Sequence, residues 1–465
     1  MRSRGFWAGL AGFLLLLMLP PPAAMPLAAW HIAALTFLMA CWWMTEALPL
    51  TATALLPFLA APLMGVMPAN DIAAAYYSPI LFLVLGGAFI ALAIERVGLH
   101  RRLALAILAR SGHSGESLLL AFMCATALLS FIVSNTATTL IMMPIAIAAI
   151  RAAGIEAEEK APFAIALVLG IAYAASIGGM GTLVGSPTNA IAAGMIERTL
   201  GFRIDFLTWA TFGLPLVAVA IPVTWFLLVH SSRLEGLPVS PAAIRAAIGT
   251  PGPWTPPEKR LAPLVALVVA GWVLLPLIEG RLPKGAVTDG SIAILGGLLL
   301  FLVPAGDGRP LLTWKEANRA PWDVIMMFGG GLALAEAITA SGLAGWMGTE
   351  LAVLNSVSPI IIALVLTALV VLVTEFASNV ATASGVMPVV ASLIAGTGAD
   401  PVLLAMPAAI AASWGFMLPS GTGPNAIAYA SGHIRVGDML RAGFLLDLVG
   451  IPLVVAVVFL VSALG

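Results

Sequence analysis

The segment Ser130-Phe131-Ile132-Val133-Ser134-Asn135-Thr136-Ala137-Thr138 places consecutive polar residues in the middle of a long apolar run. The run extends from Ser117 to Ile150, which is 34 residues without a charge. A straight helix of that length measures ~50 Å, whereas the hydrocarbon core of a bilayer is only ~30 Å thick. We therefore predict that the run breaks at Ser134-Asn135-Thr136.

The same pattern returns 244 residues later, as Thr374-Glu375-Phe376-Ala377-Ser378-Asn379-Val380-Ala381-Thr382. A Met-Pro pair follows both copies, and a hydroxyl residue stands four positions before each Ser-Asn pair. Two glycines of the first half, Gly86 and Gly98, recur by the same shift at Gly330 and Gly342. Polar breaks at matching places in two halves of a membrane chain are the best sequence pointer to a transporter's binding site.

A second pair of breaks supports the duplication. The 36 residues from Ala161 to Ile196 carry no charge and are again too long for one straight span. Glycines and polar residues interrupt this run up to Gly185-Ser186-Pro187-Thr188-Asn189, which Gly421-Thr422-Gly423-Pro424-Asn425 mirrors 236 residues later. Within a membrane run, such a break indicates unwound backbone that lines a cavity.

The composition is that of a polytopic membrane protein. Of the 465 residues, 61% are hydrophobic and 9% are charged, whereas a soluble domain carries roughly 25% charged residues. The formal net charge of −1 gives no sign of a nucleic-acid partner. Ser134 and Ser378 have no His or Lys in their motifs to activate them, so the sequence predicts no enzyme, and it shows no motif for an organic cofactor.

We predict an all-α membrane protein of about eleven transmembrane helices, organised as two inverted repeats. The chain divides into a first transmembrane span (1–27), a first repeat (28–232), a Pro-rich linker (233–260) and a second repeat (261–465). Arg2 and Arg4 precede the first span, Arg435 and Arg441 precede the last, and no basic residue follows it. The positive-inside rule therefore predicts a cytoplasmic N-terminus and a C-terminus outside, so that the two repeats enter the membrane in opposite senses.

Three smaller expectations concern single elements. The basic cluster that follows Gly98 predicts a short amphipathic helix, which we expect on the cytoplasmic face. The apolar residues Thr51–Met67 predict one segment. We expect Glu336 to face the interior of the bundle beside a neutral partner.

The four breaks offer neutral groups to a ligand, since none contains Lys or Arg. Their donors are hydroxyls, amide groups and backbone N–H groups at helix N-termini, each of which carries roughly half a positive charge. Two such termini cannot neutralise a dianion alone. Bound Na⁺ can, and hard cations prefer the carbonyl, hydroxyl and amide oxygens that these motifs also supply.

The motifs resemble those of the divalent anion/sodium symporter family, which includes sodium-coupled dicarboxylate, citrate and sulfate transporters. The matching segments span nearly the whole chain. They are Trp43-Met44-Thr45-Glu46-Ala47-Leu48-Pro49, Gly98-Leu99-His100-Arg101-Arg102-Leu103-Ala104, Ser134-Asn135-Thr136, Gly185-Ser186-Pro187-Thr188-Asn189, Glu375-Phe376-Ala377-Ser378-Asn379-Val380 and Gly421-Thr422-Gly423-Pro424-Asn425.

The resemblance implies a homodimer in which each protomer has a scaffold and a transport domain that slides as an elevator, with the Ser-Asn motifs at the tips of two re-entrant hairpins. It implies two sodium sites, one formed by Ser130, Ser134, Asn135 and Gly185, the other by Thr374, Ala377, Asn379 and Gly421. It implies that substrate carboxylates meet Ser134, Asn135, Thr136, Ser378, Asn379 and Thr422.

This chain departs from the family pattern at three positions. Val380 replaces the last Thr of the second motif, Gly423 replaces a Pro, and Thr188 replaces another Pro. These departures bear on the identity of the substrate more than on transport itself.

The function predicted is sodium-coupled import of C4-dicarboxylates across the plasma (inner) membrane, by an elevator mechanism. Two alternatives within transport stay open. One is a sodium-independent di- or tricarboxylate exchanger, and the other is a sodium-coupled transporter of sulfate or tricarboxylates. The partners expected are a small divalent anion, Na⁺, the lipid bilayer and a second copy of the chain, with no nucleic acid.

Overall fold

The computed structural model of this chain is helical, as the sequence predicts. It describes residues 2–110, 112, 114–152, 161–232, 234, 246–247, 249–283, 285–350, 356–397 and 400–464. Those ranges contain no β-strand, and an isolated bridge joins Pro304 to Pro310.

The helices of the first half have these bounds: α1 (Arg2–Met18), α2 (Leu27–Thr45), α3 (Leu50–Thr53), α4 (Leu56–Leu63), α5 (Ala69–Ala75), α6 (Pro79–Val97), α7 (Leu99–Leu108), α8 (Gly115–Ser130), α9 (Asn135–Ala152), α10 (Ala161–Gly179), α11 (Pro187–Leu200) and α12 (Phe206–Ser231). Those of the second half are α13 (Pro256–Ile278), α14 (Asp289–Leu302), α15 (Trp314–Ala317), α16 (Trp322–Ala340), α17 (Leu343–Glu350), α18 (Pro359–Phe376), α19 (Asn379–Thr397), α20 (Pro401–Ala411), α21 (Gly423–Ala430) and α22 (Val436–Leu464). A 3₁₀ turn, Glu279–Arg281, extends α13.

In the described part of the chain, nine helices are long and apolar enough to cross a membrane. They are α2, α6, α9, α10, α12, α13, α16, α18 and α22. The predicted class, an all-α polytopic membrane protein, is therefore confirmed. The number of crossings stays a prediction, because α9 and α18 belong to the predicted hairpins, and because apolar helices such as α1 and α14 are shorter than the nine.

All the predicted breaks are present. The long run 117–150 divides into α8 and α9 around residues 131–134, and the run 161–196 divides into α10 and α11 around residues 180–186. In the second half, Ala377 and Ser378 separate α18 from α19, and residues 412–422 separate α20 from α21.

The structure repeats the 244-residue duplication in its backbone. Gly98 ends α6 and Gly342 precedes α17, and both have φ of +82°, a left-handed conformation that glycine adopts without strain. A methyl group added at Gly86 would collide with the backbone of Ala293, and one added at Gly330 would collide with the backbone of Ala54. Each glycine thus lets its helix, α6 or α16, approach a partner closely.

The broken helices form the centre of the molecule and join its two halves. The α10 helix is the most buried of the candidate spans. The α9 helix packs on α21, α11 packs on α19, and α12 packs on α22. Each of these pairs contains one helix from each half, so the two sets of breaks lie in one core.

The predicted linker is shorter than expected at its C-terminal end. We placed its end at residue 260, but α13 begins at Pro256. Pro at the first helical position is pre-organised for a helix, and Thr255 and Glu258 form a capping box there. Residues 233, 235–245 and 248 of the linker lie outside the described ranges.

The amphipathic helix expected after Gly98 is present as α7. It also holds the N-terminus of α13 in place. The Arg102 guanidinium forms an ion pair with the Glu258 carboxylate at 2.9 Å and lies 4.7 Å from the centre of the Trp254 ring. The membrane face on which α7 lies stays a prediction.

The apolar segment expected at residues 51–67 is present over residues 50–63, as the short consecutive helices α3 and α4. The expectation for Glu336 was wrong. Glu336 is not paired with a neutral group: its carboxylate lies 2.7 Å from the Arg198 guanidinium, and both side chains remain partly exposed. An exposed site lets a carboxylate keep its charge at little cost when a cation stands opposite.

Candidate functional site

The first break gathers oxygen atoms around Ser130, the last residue of α8. The Ser130 hydroxyl lies 2.8 Å from the Asn135 Oδ1 atom and 2.7 Å from the Ala175 carbonyl oxygen. A hydroxyl has one hydrogen and can donate it to one acceptor only. The Ser130 hydroxyl oxygen therefore turns a lone pair towards whichever of the two acceptors does not receive its hydrogen. Such a pair of facing oxygens is suited to binding a cation.

Gly185 closes the same cluster. A methyl group added at Gly185 would lie 2.7 Å from the Ser130 carbonyl oxygen and 2.6 Å from the Gly179 carbonyl oxygen. A methyl group added at Gly179 would collide with the Asn135 side-chain oxygen. The structure thus brings together three of the four residues predicted for the first sodium site, and their uncharged oxygens are ligands of the kind that hard cations prefer. We call Ser130, Asn135, Gly179 and Gly185 the first cage.

The second break repeats this arrangement. The Thr374 hydroxyl lies 2.9 Å from both the Asn379 Oδ1 atom and the Ala412 carbonyl oxygen. A methyl group added at Gly421 would lie 3.5 Å from three carbonyl oxygens, those of Thr374, Glu375 and Leu418. We call Thr374, Asn379, Leu418 and Gly421 the second cage, and it is looser around its glycine than the first.

Two asparagines hold the unwound segments in place. The Asn189 side-chain amide donates to the carbonyl oxygens of Gly179 at 2.7 Å and Thr182 at 2.8 Å. In the second half, Asn425 donates to the carbonyl oxygens of Gly415 at 3.3 Å and Leu418 at 3.0 Å.

The residues of these contacts form three pairs that the 236-residue shift relates: Asn189 and Asn425, Gly179 and Gly415, and Thr182 and Leu418. The sequence motifs contained both asparagines, but we assigned them no role. Their equal spacing within the matched breaks was the available signal.

The two halves meet at the start of α9 and α21. A methyl group added at Gly423 would collide with the Thr136 hydroxyl. This contact places Thr136 of the first motif directly beside Thr422 and Gly423, as expected if they share a substrate. A second contact between the halves joins the Ser413 hydroxyl to the Asn189 Oδ1 atom at 3.5 Å.

Predicted substrate residues cap the N-termini of the half-helices. The hydroxyl oxygens of Ser134, Ser378 and Thr422 accept from the backbone N–H groups of Ala137 at 3.3 Å, Ala381 at 3.2 Å and Asn425 at 3.2 Å. Each hydroxyl keeps its own hydrogen for donation to an anion. The positive end of a helix dipole adds to the attraction at each position.

A cavity of about 210 Å³ leads to the first motif. Ser134, Ser186 and Pro187 line it, together with Glu95 and Arg319 at its charged edge. The Arg319 guanidinium lies 3.3 Å from the Glu95 carboxylate and is the more exposed of the two side chains. Sequence reasoning missed Arg319, because it lies 185 positions from Ser134 in a loop outside every motif.

Some predicted site residues lack a contact across the halves. The described contacts of Ser378 lie within its own motif. Ala377 is buried in the extended connection between α18 and α19, and Ser134 faces the cavity rather than the carbonyl oxygens around Gly185. Among the residues that the structure describes, no group of three or more His, Cys, Asp or Glu side chains could hold a metal.

Comparison with known proteins gives a family and a fold. A family model described as the transmembrane region of sodium:sulfate symporters matches residues 4–463. The sodium-dependent dicarboxylate transporter SdcS of Staphylococcus aureus strain USA300 is 39% identical over 462 residues, which covers 97% of this chain and 89% of that protein. Its counterpart in strain MRSA252 is also 39% identical, over 460 residues that cover 96% of this chain and 88% of that protein.

Two solved structures share the fold at low sequence identity. The YdaH transporter of Alcanivorax borkumensis has a TM-score of 0.60 at 17% identity, covering 92% of this chain and 98% of that one. MtrF of Neisseria gonorrhoeae, described with a class of antimetabolite efflux pumps, has a TM-score of 0.57 at 13% identity, covering 98% of this chain and 96% of that one.

Proposed function

We propose that this chain, which belongs to the sodium:sulfate symporter family, imports C4-dicarboxylates together with Na⁺. The family match over residues 4–463 confirms the resemblance drawn from the motifs, and the chain is a membrane transporter rather than an enzyme. The choice of dicarboxylates is supported by the name of the relative that is 39% identical over nearly the whole chain.

The observation that carries the proposal is the pair of oxygen cages, whose residues Asn135 and Gly421 lie within two positions of the contact between Thr136 and Gly423. Each cage supplies neutral hydroxyl, amide and carbonyl oxygens to a cation. The capping hydroxyls and helix N-termini between them supply donors to an anion.

Without a basic residue in any of the four breaks, a dianion would be bound there at a high electrostatic cost. Two sodium ions in the cages would offset that charge, so the anion and the cations would bind together and move together. Neutral donors also hold the substrate weakly enough to release it on the other side.

The proposed mechanism is alternating access by an elevator. The core of broken helices would move as one body, since its helix pairs join the two halves. The remaining helices would form the scaffold and the dimer contact. We propose a cytoplasmic N-terminus, a C-terminus outside, eleven crossings and a homodimer, on the distribution of Arg residues and the family resemblance.

Uptake into proteoliposomes tests this function. The purified protein would be reconstituted and labelled succinate uptake measured with an inward Na⁺ gradient, and then with K⁺ in its place. We expect accumulation with Na⁺ alone. Uptake in K⁺ that requires internal dicarboxylate would make the protein an exchanger and overturn the coupling.

Sulfate is the second candidate substrate, because the description of the matching family model names it. Excess unlabelled sulfate, citrate and fumarate would be added to the same assay in separate runs. We expect fumarate to compete most strongly and sulfate least. Labelled sulfate that accumulates while succinate does not would replace the dicarboxylate with sulfate and leave the sodium coupling intact.

A further inference from the structure

The ion pairs at the two ends of the molecule join different parts of it. We call α8–α12 and α18–α22 the core, since they contain the four breaks, and α1–α7 and α13–α17, with the loops that join them, the scaffold. At the end that carries α7, three ion pairs join scaffold residues to one another. They are Arg96–Glu316 at 3.1 Å, Arg102–Glu258 at 2.9 Å and Arg319–Glu95 at 3.3 Å.

The cavity of about 210 Å³ lies between the core and the scaffold at this same end. Ser134 and Ser186 line it from the core, and Ala91, Glu95 and Arg319 line it from the scaffold. Because the cavity leads to the first motif, the end that carries α7 is the open end of the molecule. On the orientation proposed above, this state is open to the cytoplasm.

Two scaffold helices lead from the open end to the opposite one. The α13 helix begins beside Arg102 and has 23 residues, and α16 begins three positions after Arg319 and has 19. Helices of these lengths rise ~35 Å and ~28 Å, which is close to the ~30 Å thickness of the hydrocarbon core. Glu279 after α13 and Glu336 near the end of α16 therefore lie at the outer end.

At the outer end the ion pairs cross from the core to the scaffold. The Arg203 guanidinium, in the loop between α11 and α12, lies 2.8 Å from the Glu279 carboxylate. The Arg198 guanidinium, in the last turn of α11, lies 2.7 Å from the Glu336 carboxylate. The four side chains are 31–41% exposed, so water can reach both pairs.

A buried contact accompanies these ion pairs. The Phe206 backbone N–H, at the start of α12, donates to the Asp289 Oδ2 atom of α14 at 2.7 Å. The Phe206 ring stacks on the Trp272 ring of α13 with the centroids 4.8 Å apart, and the Trp272 indole N–H donates to the Asp289 carbonyl oxygen at 3.0 Å. We call the three polar contacts between core and scaffold, Arg203–Glu279, Arg198–Glu336 and Phe206–Asp289, the outer clasp.

The outer clasp is suited to repeated opening. Exposed ion pairs contribute little to stability, because water solvates both charges when they separate. The Phe206 N–H group and the Asp289 carboxylate likewise exchange each other for water, so their net contribution is modest. Contacts of this kind hold one state closed without making the other state inaccessible.

We propose that the outer clasp holds the transporter closed towards the outside, and that it opens in every transport cycle as the core slides against the scaffold. The proposal rests on the alternating access proposed above. Glu279 and Asp289 then control the fraction of molecules that are open to the outside, although neither residue belongs to a cage or to the substrate contacts.

A reversible cross-link across the clasp tests the proposal. R203C and E279C would be combined in a full chain that also carries C41A and C124A, since both natural cysteines are free. A bifunctional methanethiosulfonate reagent would join the two introduced thiols. We expect Na⁺-driven succinate uptake into proteoliposomes to fall about tenfold or more, because the linked core cannot complete the cycle, and to recover when dithiothreitol cleaves the link.

The matched control is the same cross-link within the scaffold. R96C and E316C replace an ion pair of similar length whose two residues both belong to the scaffold. Their cross-linked form should keep uptake within about twofold of the reduced form, because no moving contact is fixed. Titration of the remaining free thiols would show that both links are complete.

Right-side-out membrane vesicles give a second measurement of the same contact. E279Q removes the charge at nearly the same shape, so more molecules are open to the outside, and the apparent affinity follows that fraction. We expect the external succinate KM to fall about two- to fivefold for E279Q and for R203Q. The double variant R203Q/E279Q should fall no further than either, since the pair is already lost. E316Q should leave the KM unchanged.

Three results would overturn the proposal. Full uptake by cross-linked R203C/E279C would show that the clasp stays closed throughout the cycle, which is a merely structural role. An equal loss in cross-linked R96C/E316C would show that the loss does not come from the clasp. An external KM that E279Q leaves unchanged or raises would show that this pair does not hold the outer end closed.

Failure of the proposed function has a different signature. If neither the natural chain nor the reduced variants accumulate succinate with Na⁺, the coupled transport itself is wrong. Normal uptake in both the reduced and the cross-linked forms would remove the clasp alone.

Discussion

The unwound segments of the two halves are each held by an asparagine at a matching position, Asn189 or Asn425, but their other hydrogen bonds differ. In the first half, the Thr182 hydroxyl of the segment donates to the Phe131 carbonyl oxygen, and the Trp209 indole N–H donates to the Met180 carbonyl oxygen at 2.8 Å. In the second half, the Glu375 carboxylate accepts from three backbone N–H groups of the segment. The first segment thus donates through Thr182 and accepts through Met180, whereas the second donates three backbone N–H groups to a single carboxyl group.

The two cages also differ in their geometry. The first cage is tight around its glycine, whereas the second is looser. The first motif faces a cavity through exposed Ser134, whereas Asn379 of the second motif is buried. In a transporter that binds two cations and one anion, such asymmetry would set the order in which the ions bind.

The sharpest test of the comparison is the same substitution at the two cage glycines. A methyl group at Gly185 would lie under 3 Å from two backbone carbonyl oxygens, whereas one at Gly421 would lie at an ordinary contact distance of 3.5 Å. We expect G185A to lower sodium-coupled uptake about 100-fold, because overpacking against backbone costs up to about 3 kcal/mol. G421A should lower sodium-coupled uptake by less than about threefold. Equal losses in proteoliposome uptake would show that the cages are not different in tightness.

The cage asparagines test what the halves share. N135A and N379A each remove the side-chain oxygen that faces the Ser130 or Thr374 hydroxyl. We expect each to lower sodium-coupled uptake about 30-fold, the range of a lost bond to a charged group.

The control for the asparagines is T126V on α8, since the Thr126 hydroxyl bonds only to the Phe122 carbonyl oxygen of its own helix. It should stay within about twofold of the natural chain. If N135A and N379A differ by more than tenfold, the shared role assigned to the two residues is wrong.

The contact between the halves is tested by a double-mutant cycle at Gly423 and Thr136. G423A forces the Thr136 side chain aside, and we expect succinate KM to rise about tenfold. In a T136A background the same change should cost much less, with a coupling of about 1 kcal/mol between the positions. Additive effects on KM would mean that the two residues do not share a substrate site.

The smallest effect is expected at Arg319, on the edge of the cavity that the first motif faces. R319Q removes a positive charge that is exposed and paired with Glu95. Because surface charges are screened by water and salt, we expect R319Q to raise the succinate KM about two- to threefold, and less at high ionic strength. An increase that is independent of salt would place Arg319 in the binding site itself.

The duplication and the breaks could be predicted from the sequence because they depend on local chemistry. A charge-free run longer than the membrane is thick must end or unwind, and Ser-Asn, Gly and Pro mark where it does so. The grouping of Ser130 with Asn135 was implied by the family resemblance, and the structure places their side-chain oxygens 2.8 Å apart. The start of α13 at Pro256 was missed because a Pro-rich segment was taken as linker, although Pro also begins helices well.

The tie of Glu375 to the second unwound segment could not be predicted in the same way. Glu375 and Met417 are 42 positions apart, and their contact depends on how residues 412–422 pack against the end of α18. The contact of Thr136 with Gly423 likewise joins residues from the two halves through packing. Tertiary packing of this kind leaves no periodic signal in the sequence.

The sodium dependence of succinate uptake tests the central claim most directly. Initial rates would be measured in proteoliposomes over a wide range of external Na⁺ concentration, with choline replacing Na⁺. Two cages that bind cations together with one anion predict a sigmoidal curve with a Hill coefficient above one. A hyperbolic curve with a coefficient of one, or a rate that does not change with Na⁺, would contradict the assignment of a sodium ion to each half.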